Sequence, residues 1–277
     1  MHRTSSCPDT GTFFFAPVLR IGALRVRGGS NDLAPVLAPL GTLEWHAHAD
    51  ALAARVASHA LDAVIVPLAD ESGRSLGSTI ATIAGLAPQV SIIVRDQLNG
   101  TTVSQLMAVF TTGLRMEFAV RPYQALDALL VRMQSDTYRP GVAPVLLQRF
   151  VPVASASLKV FVALAAITAP ERRSVEEISA WCGVSTRTIE RRLLRAQWPP
   201  AHVILQSCSA LDAVWLMSEY SWSARRVKNV RSFSHASSVT RLLKVYCGML
   251  PSTLRESGGF PAALEHVARA LPSLSVR

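Results

Sequence analysis

The stretch VSTRTIERRLLRA, residues 184–196, holds four arginines and one acid, Glu190, while Ile189 and Leu193 keep helical spacing. A planar guanidinium grips a phosphate, or the edge of guanine, with two hydrogen bonds, so arginines in this pattern point to nucleic-acid chemistry. At a 100° step Ile189, Leu193 and Ala196 share one side of a helix. Arg187, Arg191 and Arg195 form an i, i+4, i+8 stripe elsewhere, with Thr188 and Arg192 beside it. The apolar side would dock the helix on its domain, and the arginines would meet phosphates and bases. An ordinary solvated helix is the alternative reading of the same pattern.

Other groups with chemical potential point less far. Gly73-Arg-Ser-Leu-Gly77 fits the G-x-S-x-G elbow of serine hydrolases. That motif needs a strand running into the turn and a later Asp and His. Polar residues separate it from the preceding apolar run, and the later histidines (202, 235, 266) lie in or beyond the basic half. His46 and His48 would share one side of a strand, but two ligands without a third make a poor metal site. Gly28-Gly29 lacks the spacing of a phosphate loop. Cys7, Cys182, Cys208 and Cys247 have no C-x-x-C spacing and read as reduced thiols. No catalytic residue, metal or cofactor is expected, and the chain is expected not to be an enzyme.

The elements that must position the arginines fall into two halves. The chain has 277 residues, 49% hydrophobic and 17% charged, with a formal charge of +9. That balance allows a sizeable core and favours a polyanionic partner. Residues 1–137 alternate strand-like pieces (23–28, 43–49, 61–68, 90–94, 116–120) with helix-like ones (50–60, 78–87, 103–113, 123–134). Such alternation predicts an α/β layer with a parallel sheet. Arg139-Pro140-Gly141 marks a boundary. No strand is expected from about Pro144 onward, and residues 138–172 read as a linker and first helix. The apolar run 145–167 is broken by Gln148, Arg149 and Lys159, so no uncharged stretch in it reaches the roughly 20 residues needed to cross a bilayer. Packing is the simplest reading of that run, with a dimer contact or membrane-surface binding as alternatives. The protein is expected to be cytoplasmic, with no membrane partner.

The basic charge gathers in the second half. Residues 174–256 hold 11 Lys and Arg against 6 Asp and Glu, whereas the first 173 hold 15 against 12. Ser174-Val-Glu-Glu177 reads as a capping box, Gly183 as a turn, and Ser185 as the cap of the basic helix. A second such pair follows. Residues 223–230 place Val227 and Val230 one turn apart, and 235–248 place Val239, Leu242, Leu243 and Tyr246 on one face. Ser237, Ser238, Arg241 and Lys244 fall largely on the other, with His235 at the start. Residues 201–220 would form a helix of ~30 Å between the pairs, close to the ~34 Å repeat of the major groove.

Residues 174–255 resemble the AraC/XylS-type DNA-binding domain, in which two helix-turn-helix units are joined by a long helix. The resemblance rests on SVEEISAWCGVSTRTIERRL, the apolar ALDAVWLM, and VKNVRSFSHASSVTRLLKVYCGMLPSTLR. Gly248-Met-Leu-Pro251 followed by Arg255 matches that family's G-x-x-P-x-x-x-R ending. Ser232 stands for the family's glycine before Phe233, Val239 for a common aromatic, and the linker lacks the usual arginine near 207–210. The resemblance implies a regulator of transcription that binds double-stranded DNA through residues 173–277. Its site residues would be Ser185, Thr186, Arg187, Thr188, Arg191, Arg192, Arg195, His235, Ser237, Ser238, Arg241 and Lys244. A homodimer is a further implied possibility. The alternative is a protein-interaction module whose helix-turn-helix fold binds DNA weakly or not at all.

Residues 23–134 look more faintly like a response-regulator receiver domain, through LDAVIVPL, APQVSIIV and FAVRPY. That family needs an acidic pair after the first strand, a phosphoacceptor Asp ending the third, Ser or Thr ending the fourth, and Lys before Pro after the fifth. Here Arg27-Gly28-Gly29, Pro67, Arg95 and Arg121-Pro122 occupy those places. Phosphoryl transfer and Mg²⁺ binding both need a carboxylate, so a lobe of receiver shape without its chemistry is expected. It would take a protein partner or a small ligand.

Overall fold

The computed structural model describes residues 18–25, 33–70, 72–110, 116–120, 126, 129, 130, 133, 142–231 and 233–270. Arg27-Gly28-Gly29, Arg121-Pro122, the boundary at 139–141, Ser232, Cys7 and most of the helix expected over 123–134 lie outside those residues. The first half is a five-stranded, all-parallel sheet in the order β2-β1-β3-β4-β5. The strands are β1 Leu19–Leu24, β2 Gly41–His46, β3 Ala63–Val66, β4 Ser91–Asp96 and β5 Met116–Val120. Helices α1 Leu33–Leu37, α2 Ala49–Ala57, α3 Gly77–Leu86 and α4 Gly100–Phe110 alternate with them. This is the doubly wound order of flavodoxin-like folds, with a topological switch between β1 and β3.

Side chains alternate across the sheet with a period of two. Ala63 and Ile65 join Ile21, Ile93 and Ala119 on one face, beneath Leu33 and Leu37 of α1 and beneath Leu126, Leu129, Leu130 and Met133. Val64, Val66, Ile92 and Val94 face α2, α3 and α4. Several boundaries differ from the sequence expectation. β1 begins at Leu19 rather than 23, because Arg20 points outward to Asp62 (Nε–Oδ2 3.3 Å) and Gly22 interrupts nothing. A Cβ at Gly22 would meet Leu61 and Leu52 at 2.6 and 2.7 Å, so its smallness lets α2 approach. β2 ends at His46, and His48 is the N-cap of α2, so the two histidines share no strand. α2 stops before His59, whose φ of 52° is left-handed. α4 starts earlier than 103 because Asn99 caps it, accepting from the N–H groups of Thr101 and Thr102 at 2.9 and 3.0 Å. β4 runs two residues past Val94, so Arg95 lies within the strand and Asp96 ends it.

No strand occurs among the described residues after β5. The apolar run 145–167 folds as two helices, α5 Ala143–Phe150 and α6 Lys159–Ile167, with Pro144 in the first turn of α5. All residues of α6 from Phe161 onward are buried, as the reading of this run as packing requires, and they leave no free face for the alternative of membrane-surface binding. α4 packs on α5 and α6. A 3₁₀ turn at Ala169–Glu171 leads into α7 Val175–Trp181, α8 Thr186–Arg195, α9 Ala201–Glu219, α10 Ala224–Val230, α11 Ala236–Cys247 and α12 Gly259–Arg269. One apolar cluster runs from the α2–α4 face of the sheet through α5 and α6 to α9, α11 and α12. Among the described residues no helix is long and apolar enough to cross a membrane.

Leu106 is fully buried on α4, where the two halves share this core. Leu106→Ala is expected to cost about 2–5 kcal/mol, the range for a buried leucine. Because the core is continuous, urea unfolding followed by far-UV circular dichroism and by tryptophan fluorescence should shift together, although only Trp45 of the five tryptophans lies in the sheet half. Fluorescence that stays put while helicity shifts would show two independent cores.

Candidate nucleic-acid interface

The first helix pair forms as its caps dictate. The Ser174 N–H donates to Glu177 Oε2 at 2.8 Å and the Glu177 N–H donates to Ser174 Oγ at 3.2 Å, a reciprocal box. The Ser174 N–H, with Arg173 beside it, holds the Glu177 carboxyl below the ordinary carboxylate range. Gly183 turns the chain at φ 68°, a left-handed conformation that suits glycine. Ser185 Oγ then accepts from the Thr188 N–H at 3.2 Å and starts α8. Ile189 and Leu193 are buried against the domain. Arg187, Arg191 and Arg195 are exposed together, as their spacing requires, while Thr186 is half-buried. Not every expected contact residue is free. Arg192 donates to the Ser157 carbonyl at 3.2 Å, and the hydroxyls of Ser185 and Thr188 pair with each other at 2.9 Å. Glu190 turns inward and accepts from the Ala201 N–H at 3.2 Å, which caps α9.

The second pair repeats the arrangement. Ser223 Oγ accepts from the Arg226 N–H at 3.3 Å and begins α10, on which Val227 is buried. His235 is the N-cap of α11 by position, without a side-chain bond. Val239, Leu242, Leu243 and Cys247 are buried. His235, Ser237, Arg241 and Lys244 are exposed and Ser238 is half-buried. Gly248 ends α11 at φ 67°, and a Cβ there would sit 3.2 Å from His266, so both space and conformation call for glycine. Arg255 reaches back to Ser221 Oγ at 2.7 Å.

Both pairs pack on α9, a 19-residue helix spanning about 28 Å at 1.5 Å per residue. Its Asp212 meets Arg231, the residue that closes α10, with Nε to Oδ2 at 2.7 Å and Nη2 to Oδ1 at 3.4 Å. The two side chains are 2% and 6% exposed. From another side the Arg172 guanidinium lies 4.1 Å over the Phe233 ring, joining the approach to the first pair to the turn of the second. Arg172 sits at φ 55°, and burial lowers its pKa. Sequence reasoning missed the ion pair. Its one signal was a lone acid in the apolar run ALDAVWLM.

The sheet half carries a different surface. At the carboxyl ends of its strands a crevice of about 540 Å³ is lined by Arg25, His48, Asp50, Asp70, Arg74 and Ser75 among others. Pro67 follows β3 and is buried. Asp70 accepts from the N–H and hydroxyl of Ser72 at 2.9 and 2.6 Å, and from the N–H and Nε of Arg74 at 3.0 Å each. These donors, the Ser72 hydroxyl foremost, hold its carboxyl at about 2. Asp96, ending β4, accepts from the N–H groups of Leu68 and Gln97 at 3.1 and 2.7 Å. Ser75 bridges back to Ala69, and its hydroxyl accepts from the Gly77 N–H at 3.3 Å. No strand enters that turn directly, so the hydrolase elbow is not formed. Among the described residues no three His, Cys, Asp or Glu side chains gather to hold a metal. Cys182, Cys208 and Cys247 are free, and burial pushes each thiol up to about 12.

Removing one member of the Asp212–Arg231 pair strands the other charge in the core. Asp212→Ala is expected to destabilise the fold by about 3–5 kcal/mol, whereas Asp212→Leu with Arg231→Met should recover most of the loss. Denaturant midpoints of the three proteins measure both effects; a double variant as weak as the single one would refute the assignment.

No family model matches the chain, and no curated protein matches it. Among solved structures it is similar to the Salmonella typhimurium RcsB response regulator, described for its conformational dynamism in DNA interaction, with 14% identity and a TM-score of 0.36 over 69% of this chain and 98% of that one.

Proposed function

We propose that the chain is a sequence-specific DNA-binding regulator of transcription, with an AraC/XylS-type reader over residues 173–277 and a receiver-like lobe over 1–137 that carries no phosphoryl chemistry. The observation that carries the reading is the pair of helix-turn-helix units seated on one helix, each with a polar or cationic face left in solvent. Ser185, Thr188 and Arg192, tied into the fold around α8, set its position against the DNA backbone. Arg187, Arg191 and Thr186 of α8, with Ser237, Ser238 and Arg241 of α11, reach base edges. Arg195, His235 and Lys244 join the helix N-termini on phosphates. Double-stranded DNA is the partner. A second copy of the chain, and a protein or small ligand at the sheet lobe, complete the regulator.

The chemistry of the sheet lobe supports the second half of the proposal. A phosphoacceptor must be a free carboxylate beside a metal. Pro67 supplies none, and Asp70, three residues on, accepts from the N–H and hydroxyl of Ser72 and from the N–H and Nε of Arg74. Radiolabelled acetyl phosphate with Mg²⁺ should therefore leave the full chain unlabelled. Acid-labile, base-labile phosphate on any aspartate of the sheet lobe would contradict this.

Selection from random duplexes tests the reader. A recovered sequence motif is the expected result, and salt-sensitive binding without a motif would favour an interaction module. On the selected site, Arg187→Ala or Arg191→Ala should cost about 1–3 kcal/mol and relax the preference at one position. A loss that is equal for all sequences, with a shallower salt dependence, would make that arginine a phosphate contact instead.

A further inference from the structure

Leu194 is 78% exposed, more than any other large apolar side chain described. It lies on α8 at i+7 from Arg187 and i+3 from Arg191, so it occupies the outward face among the arginines rather than the buried side with Ile189 and Leu193. Arg195 adjoins it. An isolated exposed leucine on a surface needs no explanation. A leucine in the middle of a cationic stripe is different, because the stripe limits what can cover it. A second copy of the same face would bring arginines against arginines. A polyanion is attracted, and the major groove of DNA offers one apolar group among its polar edges, the C5 methyl of thymine.

We infer that Leu194 is a specificity-determining residue that packs on a thymine methyl in the major groove, one turn beyond the base or phosphate held by Arg191. This rests on the DNA-reading proposal and adds the base that the first reader selects. The second reader is built otherwise at the matching place. Counted from the N-caps Ser185 and His235, Ile189 corresponds to Val239 and Leu193 to Leu243, all four buried. On that alignment Lys244 stands where Leu194 stands, and Lys244 is exposed. The two units therefore have unequal preferences: an apolar contact with thymine in the half-site under α8, and a cationic contact at the corresponding position under α11. An asymmetric site follows, rather than two copies of one half-site.

The test uses the full chain and the duplex motif recovered from random sequences. Each thymine is replaced in turn by deoxyuridine, which deletes only the methyl, and binding is followed by fluorescence anisotropy. At one or two positions of one half-site, deoxyuridine should weaken binding roughly fourfold, the worth of about one methylene-sized apolar group. Leu194→Ala should weaken binding to the thymine duplex and bring the thymine-to-uracil ratio at that position to about one. Arg187→Ala should weaken binding and keep the ratio, and Lys244→Ala should leave it untouched. Because Leu194 is exposed, the variant's Tm should equal that of the parent. A ratio that survives Leu194→Ala at every position overturns the inference. So does a change in sedimentation coefficient with the ratio intact, which would make Leu194 a contact between copies. Failure to recover any motif would sink the DNA-reading proposal itself, and this inference with it.

Discussion

The buried pair between Asp212 and Arg231 decides how the second helix pair sits. Two full charges out of water cost several kcal/mol each, and only close, bidentate geometry offsets that cost. Asp212 is fixed near the middle of α9, and Arg231 is fixed by the end of α10, where its N–H also closes the helix on Val227 at 2.9 Å. An apolar contact at the same place would tolerate sliding or rotation. An ion pair with a planar donor does not, because any slip leaves a charge unsatisfied in the core. The turn before α11 is thus pinned to α9, and the direction in which Ser237, Arg241 and Lys244 face follows from that pin. Arg172 over Phe233 adds a second, softer restraint from the first pair's side.

The sheet half places its acids by local hydrogen bonds. The end of β1, the turn from β2 into α2 and the loop after β3 surround one crevice, at the strand ends where doubly wound folds bind their ligands. The acids that follow β3 and end β4 are held by neighbouring donors. Asp70 is saturated by donors only two and four residues away, and Asp96 holds Leu68 and Gln97 in place. Both acids organise loops. At Asp70 the donors that depress its carboxyl also take the lone pairs that a reacting carboxylate would offer.

What could be read from residues alone follows the range of the forces involved. The caps at Ser174 and Ser185, the turns at Gly183 and Gly248, and the buried rows Ile189–Leu193 and Val239–Leu243 were legible because they depend on neighbours within one turn. The five parallel strands were legible from β-branched runs such as AVIV in β3. Strand ends were less so. β1 was placed late because Arg20 and Gly22 look like interruptions, and only the long-range partners Asp62, Leu52 and Leu61 show why they belong in the strand. The fates of Arg192 and Glu190 were illegible for the same reason: Ser157 and the Ala201 N–H are distant or cross-element partners. A helical wheel assigned Arg192 to the free face, and one backbone carbonyl took it.

The shared core ties the sheet half mechanically to the helical half. α4 packs on α5 and α6, and α6 packs on α7 and α9, the two helices that seat the first reader and carry the ion pair. From Phe161 to Ile167 no side chain of α6 is left in solvent, so the helix has no free face along which to yield. Close-packed interiors transmit displacement instead of absorbing it. Whatever moves α4 therefore moves α6 or is opposed by it, and a displacement of α6 reaches the base of α7 and the middle of α9. The sheet half is thereby joined to both helix pairs through the position of one buried helix.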